Sequence, residues 1–493
     1  MTAAQSFAQP KSAPPKRPGR DLAIYTGQYR ELREKFAKDL ESLARECETK
    51  GLTEPAAVVR GTESRPKREG LEVRSLPRAV RAELPVDLPA DERFWQSQLR
   101  HHTTNYARQL YLLARQCLPN GHVTLAWELV RETAEYDPDH APARKALGFV
   151  RSGNEWVSPF EAYMGKRGRV RHPVYGWLPK DHVPRYEKGE RNFNGHWMSA
   201  AKEEELRRDF SKGWEVRTDH FRVKTNHSLQ RGVEIADRLE DFHALFFQVL
   251  AGFFTTREQA KQLVDGTSKP PPVPEPLDVF YFRSRDEYVA HLRTKTDQPV
   301  EITNGMYFPS TGIAYYFFDP EAVDADATLY HEATHQILSG VRPGADQIGA
   351  NSDFWVVEGI ACYMESFTRE ERDGALRFSL GRPDHKRLQA ARTNLLDEMY
   401  FVPLGELAAM GMREYQTHPQ IRKNYSESAA YAHFFMHHDN GRLREALVEH
   451  LSQIYAQRRS APPDSLSELT GIKASELDNL YREHVRGLGN APE

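Results

Sequence analysis

The segment LYHEATHQIL, residues 329–338, carries two histidines four positions apart, His331 and His335. On a helix that spacing puts both on one face about one turn apart, so two imidazoles can reach a single tetrahedral metal ion. Glu332 stands one residue round from His331, within reach of water at such an ion without being a ligand. A carboxylate in that place has the chemistry of a general base. With 20 histidines in the chain, this spacing arises by chance often enough to need a second element in support. FWVVEGIA, residues 354–361, supplies it, because Glu358 sits in an apolar helix where an unpaired charge is costly to bury. Glu358 follows His335 by 23 positions, enough for a loop and an antiparallel return. The residues therefore imply a Zn2+ site with His331, His335 and Glu358 as ligands and Glu332 as base.

HExxH followed by a WxxEGxA helix resembles the peptidase MA-like (gluzincin) zinc metallopeptidases. More closely, it is similar to an uncharacterised bacterial family of that clan with a helical N-terminal half. The resemblance runs from about Trp127 to the end of the chain and is specific in the motifs. It implies a zinc metallopeptidase that hydrolyses peptide bonds with a metal-activated water. It also implies that Ile313–Phe318 is the sheet-edge strand pairing with an extended substrate. Tyr425 matches the family's oxyanion donor near a helix start, with Tyr431 and His433 as its competitors.

The departures are informative. Aminopeptidases of the clan carry GxMEN upstream, whose Glu holds a free amine; Gly305-Met306-Tyr307-Phe308 has no Glu-Asn, which favours an endopeptidase-like enzyme. Where thermolysin-type enzymes place a supporting Asp, four residues after the ligand Glu, this chain has Cys362. Cys362 is expected as a small buried residue, so another acceptor must orient a ligand histidine. His437 and His438 precede Asp439-Asn440-Gly441 and are expected at a helix end, capping or in solvent.

The rest of the chain must position this site. Its 493 residues predict two or three domains of α+β class. Residues 1–20 read as a disordered lead, and 21–155 as a helical, tetratricopeptide-like region with helices at Asp21–Lys50, Asp91–Cys117, His122–Tyr136 and Ala141–Val150. About one and a half such units cannot bury their own face and must pack on something else. Residues 156–212 form an aromatic- and Gly-rich connector of short strands and turns, expected as packing rather than as a binding platform. Residues 213–320 read as the α/β part of the catalytic domain. It holds strands Phe221–Thr225 and Leu277–Phe282, helix Leu229–Leu250, a loop at Pro270–Pro276 and a hairpin across Asn304–Phe318. From 321 to 488 the chain reads as helical: the HExxH helix, the Glu-ligand helix and a C-terminal helical subdomain.

A net charge of -3 with dispersed Lys and Arg removes the electrostatic footprint of a nucleic-acid binder. No apolar run is long enough for a transmembrane segment. Cys47, Cys117 and Cys362 lack CxxC spacing and fix no redox compartment. The first residues have no apolar h-region, which implies a cytoplasmic protein. A start codon placed too far downstream would conceal an export signal, since Ser6-Phe7-Ala8 has the small-x-small form of a cleavage site. The expected partners are a peptide or protein substrate and a protein bound through the helical N-terminal region. The rival reading is a protein-binding scaffold with a structural or vestigial zinc site, against which the intact Glu332 argues.

Overall fold

A computed structural model describes residues 19–62, 71–268, 273, 275–296, 299–321, 325–342, 348–372, 375–456 and 462–489. Residues 1–18 of the lead and most of the loop at 270–276 lie outside them, while residues 19 and 20 of the lead open helix Gly19–Thr49. Helix and strand are mixed along the chain, so the class is α+β as expected.

Five strands make the sheet that backs the site, in the order Gly305–Phe308, Ile313–Phe317, Leu277–Phe282, Phe221–Thr225, Trp214–Arg217. The three central strands are parallel and each outer strand joins antiparallel. Alternation sets the faces: Phe221, Val223 and Thr225 are buried while Arg222 is exposed. One strand assignment is corrected. Ile313–Phe317 lies between two neighbours, so the edge is Gly305–Phe308, the other arm of the hairpin. Sequence shows that a hairpin forms but not which arm finds the parallel partner; the more apolar arm took the interior.

Helix Leu229–Val249 covers one face of this sheet, and its apolar stripe merges with those of the helices Ala325–Val341 and Phe354–Met364 into one core. The latter two are called the motif helix and the ligand helix below. Helix Ile421–Gly441, the tyrosine helix below, packs along the ligand helix. Gly359 permits that approach, since a Cβ there would fall 2.7 Å from the Ser428 carbonyl oxygen.

The N-terminal helices Gly19–Thr49, Ala90–Cys117 and Val123–Tyr136 share a second core. Their remaining apolar face is closed by Ala251, Ala260 and Val264, which answers the need for an outside surface. The helix expected over Ala141–Val150 stops at Ala146, because the chain turns through left-handed Gly148 into strand Val150–Ser152. A helix at Thr53–Gly61 and a strand at Leu71–Arg74 lie between the first and second of the expected helices, in a Pro- and Arg-rich stretch of little apolar periodicity.

The connector has an order that composition concealed. Three times the chain forms a two-stranded hairpin followed by a short helix, and the second strands carry Trp156, Trp177 and Trp197. The segment after residue 365 is not wholly helical either. Thr368–Arg372 and Ala375–Leu380 form a hairpin, and Leu71–Arg74 adds to it as a third strand. Among the described residues, no helix is long and apolar enough to cross a membrane.

Candidate functional site

The motif helix presents His331 and His335 side by side, with Ala327 and Leu338 of the same stripe turned into the core. The ligand helix, every residue of which is buried, brings Glu358 back beside them. His331 Nε2 and His335 Nε2 are 3.3 Å apart, and Glu358 Oε2 lies 3.5 Å from the first and 3.8 Å from the second. Three donors on one tetrahedral zinc, each about 2.0–2.1 Å from the ion, stand about 3.4 Å from one another. The donor set and its spacing therefore fit such an ion. Burial works against the Glu358 carboxylate, but the charges of His335, His331 and Arg387 hold it below the usual carboxylate range.

Glu332 is directed elsewhere. Its Oε2 accepts a hydrogen bond from the Tyr307 backbone N–H at 2.9 Å, so the carboxylate is braced by the edge strand rather than by the histidines. Gly305 makes this contact feasible: a Cβ there would fall 2.8 Å from Thr328 Cγ2 and 3.2 Å from Glu332 Cγ. Edge strand and motif helix meet backbone to side chain at that point.

The acceptor required in place of the missing Asp is Glu365, at the C-cap of the ligand helix. His331 Nδ1 is 3.0 Å from Glu365 Oε1, which assigns the ring proton to Nδ1 and turns the Nε2 lone pair toward His335 and Glu358. Arg387 holds Glu365 from behind, Nη2 donating to Oε1 at 2.9 Å and Nε to Oε2 at 3.0 Å. Burial would raise the Glu365 carboxyl, yet the hydrogen bonds from His331 and Arg387 bring it down to about 2. Cys362 is fully buried, as expected, and lies against His331. His331, Cys362 and Glu365 form a second close group of ligand-type atoms, but both carboxylate oxygens there are already taken by Arg387.

Tyr425 sits in the second turn of the tyrosine helix and faces the site, among the Glu358 carboxylate, the Cys362 thiol and the Arg387 guanidinium. Its ring packs edge-on to Tyr415 and under Arg387, while its hydroxyl makes no hydrogen bond among the described residues. The competitors are engaged elsewhere. The Tyr431 hydroxyl donates to Asp478 Oδ1 at 3.0 Å, and both ring nitrogens of His433 are bonded, to His484 and to the Gly381 carbonyl. His437 is no solvent residue, since its Nε2 meets the Tyr363 hydroxyl at 2.7 Å; the helix gives way one residue later, at His438.

Sequence reasoning missed Glu365 and Arg387. Glu365 had a readable signal, since 358, 362 and 365 follow the i, i+4, i+7 stripe of one helix face. Arg387 had none, because it returns from beyond an intervening hairpin. No curated protein matches this chain. Residues 325–459, which hold all three candidate ligands and the tyrosine helix, match a family described as a protein of unknown function, DUF1570.

Proposed function

We propose that the protein is a zinc-dependent peptidase of gluzincin type that cuts within peptide chains, holding Zn2+ on His331, His335 and Glu358. The observation carrying this reading is the convergence of two imidazole nitrogens and one buried carboxylate oxygen at 3.3–3.8 Å beside a separately braced glutamate. Zinc, when bound there, supplies Lewis acidity to an attacking water and to the carbonyl under attack. Glu332 accepts the proton of that water and returns it to the leaving amine. Tyr425, its hydroxyl uncommitted, donates a hydrogen bond to the developing oxyanion. An extended substrate pairs with the edge strand Gly305–Phe308, which carries no carboxylate to claim a free N-terminal amine.

Elemental analysis of protein purified without chelators tests the ligand set, with one zinc per chain expected. A mixed-peptide screen with and without chelator then tests the chemistry, with chelator-sensitive cuts inside N-acetylated peptides expected. Absence of stoichiometric metal overturns the ligand assignment. Fast cleavage of amino-acid anilides with no cut in N-acetylated peptides overturns the endopeptidase assignment. Metal binding without any hydrolysis would leave a scaffold built on the N-terminal helices as the better account.

A further inference from the structure

Helix Val123–Tyr136 begins without a cap of its own: His122 precedes it and offers no side-chain acceptor to the exposed amides. The acceptor arrives from more than three hundred residues away. Glu445, in the first turn of helix Arg444–Ile454, takes Thr124 N–H on Oε1 at 2.8 Å and Leu125 N–H at 3.4 Å, while Oε2 takes the Thr124 hydroxyl at 3.2 Å. A carboxylate at a helix N-terminus satisfies orphan donors and complements the helix dipole. Beside it, Arg444 pairs with Glu128 of the same N-terminal helix. Gly252 leaves room for the joint, since a Cβ there would meet Val448 at 3.2 Å and Glu445 Oε2 at 3.6 Å.

The other end of helix Arg444–Ile454 reaches the site by three routes. His450 Nε2 lies 3.3 Å from Asp353 Oδ1, and its Nδ1 bonds the Asp464 carbonyl at 2.8 Å. Asp353 is the left-handed residue from which the ligand helix starts. The Ser452 carbonyl accepts from Arg342, just past the last residue of the motif helix, at 2.8 Å. Tyr455, next after the helix, is buried with Glu358 and Tyr307 as its ionisable neighbours. A single helix thus touches the start of one ligand-bearing helix, the end of the other and the cap of the N-terminal helical region.

We propose that helix Arg444–Ile454 is a strut that fixes the spacing of the two ligand-bearing helices against the N-terminal helical region, with Glu445 and His450 as positioning residues. This deepens the metal-site reading, and its test has an arm that needs no metal. Amide hydrogen exchange in metal-free full-length protein is compared for wild type, Glu445→Ala and Glu445→Gln, with Arg185→Ala as a distant control. The expected result is faster exchange in residues 325–341 and 354–364 for Glu445→Ala, with recovery in Glu445→Gln, which keeps an acceptor for Thr124. In zinc-loaded protein, metal loss to a chelator should quicken by on the order of tenfold in Glu445→Ala and again recover in Glu445→Gln. Should Glu445→Ala fail to fold, His450→Gln tests the same path from its other end with the same readouts. Faster exchange confined to residues 90–136, with both ligand-bearing helices unchanged, overturns the strut. Wild-type protein that binds no metal would sink the metal reading alone, because the exchange arm would still decide the strut.

Discussion

Two glutamates are buried on opposite sides of the same packed helices, and they are treated in opposite ways. Glu358, on the ligand helix, faces two imidazoles with Arg387 beyond, and burial notwithstanding its carboxyl is held below the usual range. Glu427, on the tyrosine helix two residues from Tyr425, faces the helix Ala474–Gly487 instead. There the Tyr481 hydroxyl and the Val402 backbone are its polar neighbours, both outside hydrogen-bond geometry, and burial pushes its carboxyl up to about 8. One carboxylate is kept charged by positive neighbours, whereas the other keeps a proton because no cation stands against it among the described residues. A buried acid in an apolar helix is thus no signal of chemistry by itself; what gathers opposite it decides. On the histidine side Glu358 and Glu365 face groups of opposite charge, and the Tyr425 hydroxyl makes no hydrogen bond among the described residues.

The largest effect expected on that side comes from Glu332→Gln. The substitution keeps the hydrogen bond from Tyr307 available but removes the proton acceptor, so hydrolysis should collapse while zinc and fold persist. Positioned acid–base catalysis contributes typically about 10²–10⁴-fold, and a base that also generates the nucleophile belongs at the upper end. Cleavage at the wild-type rate by this variant would falsify the mechanism whatever its zinc content. Next comes Tyr425→Phe, expected to lower kcat by about 10²–10³ with KM and zinc almost unchanged, as for a donor used in the transition state. Unchanged kcat would place the oxyanion donor elsewhere; Tyr431 and His433 are bonded away from the site, so Tyr455 would be the next group to test.

A smaller effect is expected from Glu365→Gln. An amide oxygen can still accept from His331, but it cannot hold Arg387 as an ion pair, so the ring is oriented less firmly. Metal affinity, read by competition with a chromogenic chelator, should fall about 10- to 100-fold. Equal affinities would mean that Cys362 or the helix packing alone orients His331.

How much of this contrast was legible beforehand follows from the range of the interactions. The helix spacing of His331, Glu332 and His335, and the apolar frame around Glu358, are local and were readable. So were the strands Phe221–Thr225 and Leu277–Phe282, whose bounds match the structure residue for residue. The edge strand was misplaced because choosing between two arms of a hairpin depends on a partner 35 residues upstream, Val279 facing Ala314. The threefold hairpin–helix connector went unread because its strands are only three or four residues long and the spacing from turn glycine to tryptophan varies (Gly153 to Trp156, Gly176 to Trp177, Gly195 to Trp197), although a left-handed glycine, Gly148, Gly168 or Gly189, precedes each hairpin. Arg387, Glu445 and the Tyr307 amide reach their partners only through the fold. Glu358 lies in an apolar run and Glu427 between two serines, and neither setting says which acid meets the histidines and which the tyrosines; topology decides that.

The mildest prediction tests that last distinction directly. In the folded chain Glu427 holds its proton up to about pH 8, whereas an unfolded glutamate releases it near 4.5. Between those values the native state binds more protons than the unfolded state, so stability falls as pH rises. The contribution of the neutral carboxyl is fully present below pH 4.5 and is lost as pH climbs toward 8. Glu427→Gln places an uncharged group of the same size there and carries no such dependence. The unfolding free energy of the metal-free variant, relative to wild type, should therefore rise progressively from pH 5 to pH 8, by on the order of a few kcal/mol at most. The amide brings donors of its own, and a donor left unbonded in that pocket costs about 1–3 kcal/mol, but this cost is the same at every pH. The slope, not the offset, is the diagnostic quantity. Zinc content and turnover should not move, because Glu427 points away from Tyr425 and the ligands. A gap that stays constant from pH 5 to pH 8 would mean that Glu427 is already ionised and paired, and the opposition between the two buried glutamates would be lost.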